Sequence, residues 1–263
     1  MSLLINSTHE DYHADRTALS SSNLKQILKD PAKFYNEWVL GNKEPEEENS
    51  AFTEGTFTHS LILEPDKINE YVIYPGLRKA GAAWEAFKLA NKGKKILSAV
   101  QSQRCETYYK SYSNVSAATN LITGGVAEHT MLSSILDVNL KSRADYINLN
   151  DNYIVDVKTT SYGSDKESFK EVIQQYSYDL SAALYCQIAF NNYGRLFDFY
   201  FIVISKTDLT CDVYKASSET LSNGAAKMTK ALVLYKKCKE SGIWQLDQPK
   251  KDFSDISYNI EEV

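Results

Sequence analysis

The chain has 263 residues, 43% hydrophobic and 24% charged, without repeats or low-complexity tracts, which supports one sizeable core and a single domain over residues 1–263. The opening "MSLLINSTHEDYHADR" lacks the basic and long apolar regions of a signal peptide, and the most apolar run, "LFDFYFIVI", is too short to span a membrane; Cys105, Cys186, Cys211 and Cys238 are widely spaced with no C-x-x-C pair, so a zinc or iron–sulfur centre is excluded and a reducing cytoplasm is expected. The net charge of −5 argues against a polyanionic partner only at first sight, because Glu44, Glu46, Glu47 and Glu48 and an acidic tail over 247–263 hold the excess acid and leave the body mildly basic.

In chain order, "LSSSNLKQILKDPAKFY" predicts an N-terminal helix, with serines at the cap, Leu24, Ile27 and Leu28 at helical spacing, and Pro31 as a stop. The polar run "NKEPEEENS" follows as a linker. "AFTEGTFTHSLILEP" puts Phe52, Gly55, Thr56, His59, Ile62 and Leu63 on one helical face closed by Pro65; the face is mostly apolar, so His59 is expected to look inward. Trp84 to about Ser116 gives two helices with a basic connection, "NKGKK", either a solvated loop or a cluster that tracks a phosphate backbone. From Val126 the period becomes two, and "VAEHTML", "VNLKSRADYINL" and "NYIVDVKTT" form consecutive strands. "YGSDKESFKEVIQQYSYDLSAALYCQIAF" predicts one long helix with Ser164 and Glu167 in capping-box spacing. Strands "LFDFYFIVIS" and "TCDVYKA" and a helix from about Glu219 to Glu240 complete an α/β or α+β domain, a mixed central sheet flanked by helices.

The stretch "YIVDVKTT" carries Asp156 and Lys158 on one side of an otherwise apolar strand. If "LNDN" is a two-residue hairpin loop at Asn150 and Asp151, Leu149 pairs with Asn152, Ile147 with Ile154, Asp145 with Asp156 and Arg143 with Lys158, while Ala144, Tyr146, Val155 and Val157 pack on the opposite face. Two ionised carboxylates so opposed repel, and a divalent cation removes the conflict; oxygen ligands completed by water and substrate phosphate suit Mg²⁺ or Mn²⁺. Lys158 would then orient or help deprotonate an attacking water and offset phosphate charge. A strand with one solvent face could carry the same D-x-K pattern without chemistry. His59 could equally be a buried histidine satisfied by a backbone carbonyl, Glu128 a strand-edge acid, and Tyr185 part of a core stripe with Tyr178 and Ala182. Arg143 could contact a phosphate or shield Asp145.

"GTFTHSLILEP", "AEHTM", "KSRADYI", "IVDVKTT" and "YSYDLSAALY", in this order, resemble the PD-(D/E)xK nuclease superfamily, in particular the RecE-type exodeoxyribonuclease VIII C-terminal domain, with lambda exonuclease and RecB nuclease domains as more distant relatives. The resemblance covers about Leu19 to Phe190 and implies a restriction-endonuclease-like fold. It implies metal ligands at His59, Asp145, Asp156 and the carbonyl of Val157, a catalytic Lys158, a Glu128 that assists at a second metal or positions substrate, and Tyr185 as the tyrosine of a Q-x-x-x-Y helix motif. The glutamine of that motif falls on Ser181, with Gln174 and Gln175 earlier and out of register. The implied activity is a metal-dependent DNA exonuclease using two Mg²⁺ ions, with Mn²⁺ able to substitute. It would digest linear duplex ends 5′ to 3′ to mononucleotides and leave a 3′ single strand for an annealing partner, as a ring-shaped trimer or tetramer. A flap-type endonuclease of the same fold and an inactive DNA-end-binding subunit are the alternatives.

Overall fold

A computed structural model of the protein describes residues 8–44 and 50–245, with side chains described for all of these except 9 and 50–52. The acidic run at 45–49 and the tail over 247–263 lie outside the described residues, as does the side chain of Phe52.

The N-terminal helices are set by their caps. Thr8 caps α1 (His9–Ala14) and Ser20 caps α2 (Ser21–Lys29), each in a reciprocal box with the residue three positions on. Pro31 does end α2, but Asp30 caps a further helix there, α3 (Pro31–Phe34), which runs into a π-helical turn over Tyr35–Val39; at the first helical position proline has no needed N–H to lose. Next comes α4 (Ser50–Leu63), after which Pro65 opens a 3₁₀ turn leading to β1 (Tyr71–Tyr74). Then follow α5 (Ala82–Ala90), β2 (Lys95–Ser98), α6 (Ala99–Ser113) and α7 (Ser116–Leu121). The predicted basic connection therefore includes a strand, and β2 pairs in parallel with β1 as a separate two-stranded sheet. Lys95 reaches Glu70 (3.6 Å), whereas Lys92 and Lys94 stay exposed in the turn before it.

The main sheet comprises β3 (Val126–Ile135), β4 (Val138–Asn148), β5 (Tyr153–Thr160), β6 (Asp198–Ser205) and β7 (Cys211–Lys215), in that spatial order, with β5 and β6 parallel and the other neighbours antiparallel. This is the predicted mixed sheet. Between β5 and β6 lie α8 (Lys166–Tyr176) and α9 (Tyr178–Tyr193), and α10 (Ser218–Ser241) ends the described fold. The long helix foreseen from the sequence is thus two: Ser177 adopts the left-handed conformation (φ 48°, ψ 50°) and breaks it. Asp165, not Ser164, caps α8, because the Ser164 hydroxyl is donated to Asp212 (2.6 Å).

Helices cover both faces of the sheet. One buried cluster packs Leu24, Ile27, Phe34, Leu180, Leu184 and Leu232 from the helices against Leu140, Ile147, Ile154, Phe199 and Phe201; the other packs Phe57, Cys105 and Tyr108 against Tyr146, Val155, Val157 and Ile202. Each fully buried Ile or Phe contributes about 2 kcal/mol. The expectation that the Asp156 face of β5 is an open site and the valine face alone the core is therefore corrected: Ile154, on the Asp156 side, is fully buried too. The helices α9 and α10 touch at backbone distance, since a Cβ on Gly224 would sit 2.0 Å from the Asp179 carbonyl oxygen. The fully buried Lys141 ties the N-terminal segment to β4, donating to the carbonyls of Tyr12 and Asp15 (2.5 Å each) and pairing with the Asp15 carboxylate (3.3 Å). Among the described residues no helix is long and apolar enough to cross a membrane.

Candidate active site

The site forms where the β4–β5 hairpin stops obeying its own register. Asn148, Ile147 and Tyr146 pair with Tyr153, Ile154 and Val155, as the sequence predicts, but the ladder has only these three rungs. Leu149 and Asn152 do not pair; they belong to a four-residue turn in which Asn148 Oδ1 accepts the N–H groups of Asn150 and Asp151 (2.9 Å each) and Asn152 takes the left-handed φ of 56°. The foreseen pairs Asp145–Asp156 and Arg143–Lys158 do not form either. Beyond Tyr146 the strands part, and the Asp145 carboxylate fills the gap by accepting the N–H of Val157 through Oδ2 (2.7 Å).

The Val157 carbonyl lies on the same strand edge and meets His59 Nε2 from α4 at 2.7 Å. A carbonyl oxygen only accepts, so Nε2 carries the proton and Nδ1 keeps its lone pair, 3.7 Å from Asp145 Oδ2. Burial first, and then the Lys158 charge, holds the His59 pKa below its ordinary value, so the ring is neutral at pH 7. His59 is thus both things the sequence allowed: satisfied by a carbonyl through one nitrogen, and a potential ligand through the other.

The β3–β4 ladder places Glu128 across from Asp145 but skips that rung; the flanking pairs are Ala127–Tyr146 and His129–Ala144. Glu128 takes a φ of 52°, at a cost of about 1–2 kcal/mol for a non-glycine residue. On β4 the alternation breaks at the same point, with Ala144 and Ile147 in one cluster and Tyr146 in the other. Arg143, 2.6 Å from Glu128 Oε2 through Nε, fixes that carboxylate. It does not oppose Lys158. The result is a set in which one ligand atom each from His59, Glu128 and Asp145 lies within 4.8 Å of the others.

Asp156 stands beside this set rather than within it. Its Oδ1 accepts from Lys158 Nζ at 2.6 Å, while Oδ2 is buried and has no hydrogen-bond partner among the described residues. An orphaned carboxylate oxygen is costly, and a cation is the partner that relieves it. Burial, and then the charge of Asp156, raises the Asp145 pKa well above the carboxylate range, with Glu128 adding and Lys158 and the Val157 N–H opposing. Burial alone would lower the Lys158 pKa, but Asp156 and Asp145 outweigh it and hold it above its usual value, so Lys158 is an ammonium here. An imidazole nitrogen, crowded carboxylates and an unsatisfied oxygen are a donor set that fits a hard divalent cation.

Tyr185 of α9 is half-buried, edge-on to Phe199 at 6.3 Å, and its pKa is raised by burial and then by the charges of Tyr12, Asp156 and Asp145. It borders the core and the site together. Ser181 is buried, and Gln174 and Gln175 are exposed on α8, beyond the break at Ser177, so neither takes the place of the missing glutamine. Sequence patterning passed over one further pair: the ring of Tyr178, brought inward where α9 begins, has Lys158 Nζ 5.1 Å and Lys25 Nζ 5.2 Å from its centroid. The position of Lys25 among the polar residues of "SSSNLKQIL" gave no local signal of this.

Residues 20–247 match the family described as "PDDEXK-like domain of unknown function (DUF3799)". Among solved structures, the chain is similar to a protein from Eubacterium rectale described as a "Putative exonuclease", at 16% identity and a TM-score of 0.66, over 90% of this chain and 88% of that one. It is also similar to an alkaline exonuclease from Laribacter hongkongensis, at 10% identity and a TM-score of 0.41, over 89% and 96%. No curated protein matches it.

Proposed function

This chain belongs to the PDDEXK-like DUF3799 family, and from that premise we propose that it is a metal-dependent DNA exonuclease acting on linear duplex ends. One observation carries the proposal: the parted β4–β5 edge gathers His59, Glu128 and Asp145 into a cation-sized set next to the Asp156–Lys158 pair, whose second oxygen lacks a partner. The cofactor is Mg²⁺, replaceable by Mn²⁺, at two ions per site. His59 through Nδ1, Glu128, Asp145 and Asp156 would hold them, and the Val157 carbonyl would join once His59 releases it. When bound, such ions polarise the scissile phosphate, lower the pKa of an attacking water and stabilise the attacking and leaving oxygens.

The chain's own groups account for the rest. Lys158, held protonated, orients the nucleophilic water and offsets phosphate charge; in this state it is a poor base. Arg143 keeps Glu128 aimed at the site. Tyr185, held neutral, can donate a hydrogen bond toward the carboxylates. Attack in line needs no covalent enzyme intermediate. The resemblance to RecE-type enzymes supports 5′-to-3′ digestion to mononucleotides, a 3′ single strand left for an annealing protein, and a trimeric or tetrameric ring that encloses the duplex.

The test is a fluorescently labelled linear duplex incubated with Mg²⁺ and then with EDTA. Stepwise release of mononucleotides from 5′ ends, abolished by EDTA, is the expected result. Cutting of closed circles would replace it with an endonuclease, and binding without product would make the chain a DNA-end-binding subunit.

A further inference from the structure

Around Tyr178 the charges do not balance. Lys158 is neutralised by Asp156 (2.6 Å), and Lys227 by Asp179 (2.7 Å). Lys25, half-buried on α2, has its ammonium over the same Tyr178 ring, but among the described residues no carboxylate lies within ion-pair distance of it and no acceptor within hydrogen-bond distance. The groups that act on it are Lys158 and Lys227, which repel it, and Asp156 and Asp179, which attract it but pair with those two lysines. Burial first, and then Lys158, pulls its pKa down to about 8. A cation–π contact offsets only about 0.5–2 kcal/mol of such a cost. A desolvated ammonium beside like charges is an arrangement made tolerable by an anion that arrives from outside.

We propose that Lys25 is a substrate-contacting residue, binding a non-bridging oxygen of the phosphate next to the scissile one on the cleaved strand. This rests on the nuclease proposal above. The position follows from the geometry: Lys25 Nζ and Lys158 Nζ lie 5.2 and 5.1 Å from the same Tyr178 ring, and Lys158 pairs with Asp156 beside the metal-binding set. Lys25 therefore extends the site on the Lys158 side, one step from the metal-binding set. The ring the two ammoniums share is that of Tyr178, the first residue of α9 after the break at Ser177.

The full chain, its Lys25→Met variant (length and packing kept, charge lost) and its Lys25→Arg variant (charge kept) are compared on a fluorescein-labelled duplex. Affinity is read by anisotropy with Ca²⁺ in place of Mg²⁺, turnover with Mg²⁺, and folding by thermal melting. Substrates with a single neutral methylphosphonate are then stepped along the cleaved strand. We expect Lys25→Met to melt no lower than wild type and to bind roughly ten- to a hundredfold more weakly, with Lys25→Arg restoring most of the loss. One methylphosphonate that costs wild type about tenfold should cost Lys25→Met less than about twofold, because the contact is already gone. Affinity of Lys25→Met within about twofold of wild type, or equal methylphosphonate penalties in both at every position, overturns the assignment. Wild type that binds DNA with this coupling but releases no product overturns the nuclease activity and leaves Lys25 as a phosphate contact. Cleavage without the coupling does the reverse, and wild type that neither binds nor cleaves overturns both.

Discussion

Replacing Asp145 by asparagine should stabilise the metal-free protein while removing its response to metal. The Asp145 and Glu128 oxygens lie within 4.8 Å, and at an effective dielectric of about 20 two such charges repel by roughly 3 kcal/mol. Arg143 at 2.6 Å cancels part of the Glu128 charge, the two carboxylates are 16% and 18% exposed, and the Lys158 attraction is lost with the substitution, which leaves a net gain of about 1–2 kcal/mol. The amide oxygen can still accept the Val157 N–H, and the new NH₂ can donate toward Glu128. For a chain of this length the gain corresponds to about 2–6 °C in Tm, measured in EDTA. The folded Asp145 carboxyl has a raised pKa, so wild type is penalised at pH values above it, and the penalty fades as pH falls through the raised pKa toward the ordinary carboxylate value. The gap between variant and wild type should therefore narrow on acidification. Mn²⁺ at a hundredfold excess over Kd should add about 2.7 kcal/mol to wild type, with proton release, and little to the variant. A variant that melts below wild type in EDTA, a gap that widens as pH falls, or equal metal shifts in both proteins would refute the electrostatic account.

Three other substitutions probe separate links. Lys158→Met should abolish cleavage and also lower stability by about 3 kcal/mol in urea titration, since it leaves Asp156 buried with neither oxygen paired; the mutation is not silent for the fold, as a solvent-facing lysine would be. Lys141→Met strands the carbonyls of Tyr12 and Asp15 and should cost about 3–5 kcal/mol, with hydrogen exchange rising first in the segment around α1. Gly224→Ala must push α10 away from the Asp179 carbonyl and Ala183, so about 1–3 kcal/mol of destabilisation is expected, with an unchanged metal-induced Tm shift if the effect stays local.

The run of consecutive strands β3, β4 and β5 and the register of the β4–β5 hairpin were legible because alternation and a turn sequence determine them locally: Ile147 does meet Ile154. The length of that ladder was not legible. It is cut short by a side chain, Asp145, that takes the Val157 N–H a regular rung would have left to β4, and by a left-handed Glu128, for which no glycine or asparagine announces the kink. The break at Ser177 is equally silent, since nothing in "QQYSYD" forbids a continuous helix; the contacts that favour it, Lys25 and Lys158 on the Tyr178 ring, come from distant segments. The four-residue strands β1 and β2 are too short to show a period and owe their place to Tyr71 and Leu97, buried in the cluster that also holds Phe57 and Cys105. Burial of both sheet faces did leave a trace, because Ile147 and Ile154 share a side with the acids, and two isoleucines do not belong on a solvent face. The shortened ladder, the left-handed Glu128 and the break at Ser177 each lie at or next to a residue assigned to the site, which is where consistency between local rules and the global fold is expected to fail. A hairpin that had kept its register one rung further would have put Asp145 against Asp156 and left the Val157 edge unavailable to His59. Chemistry at this position depends on that rung not forming.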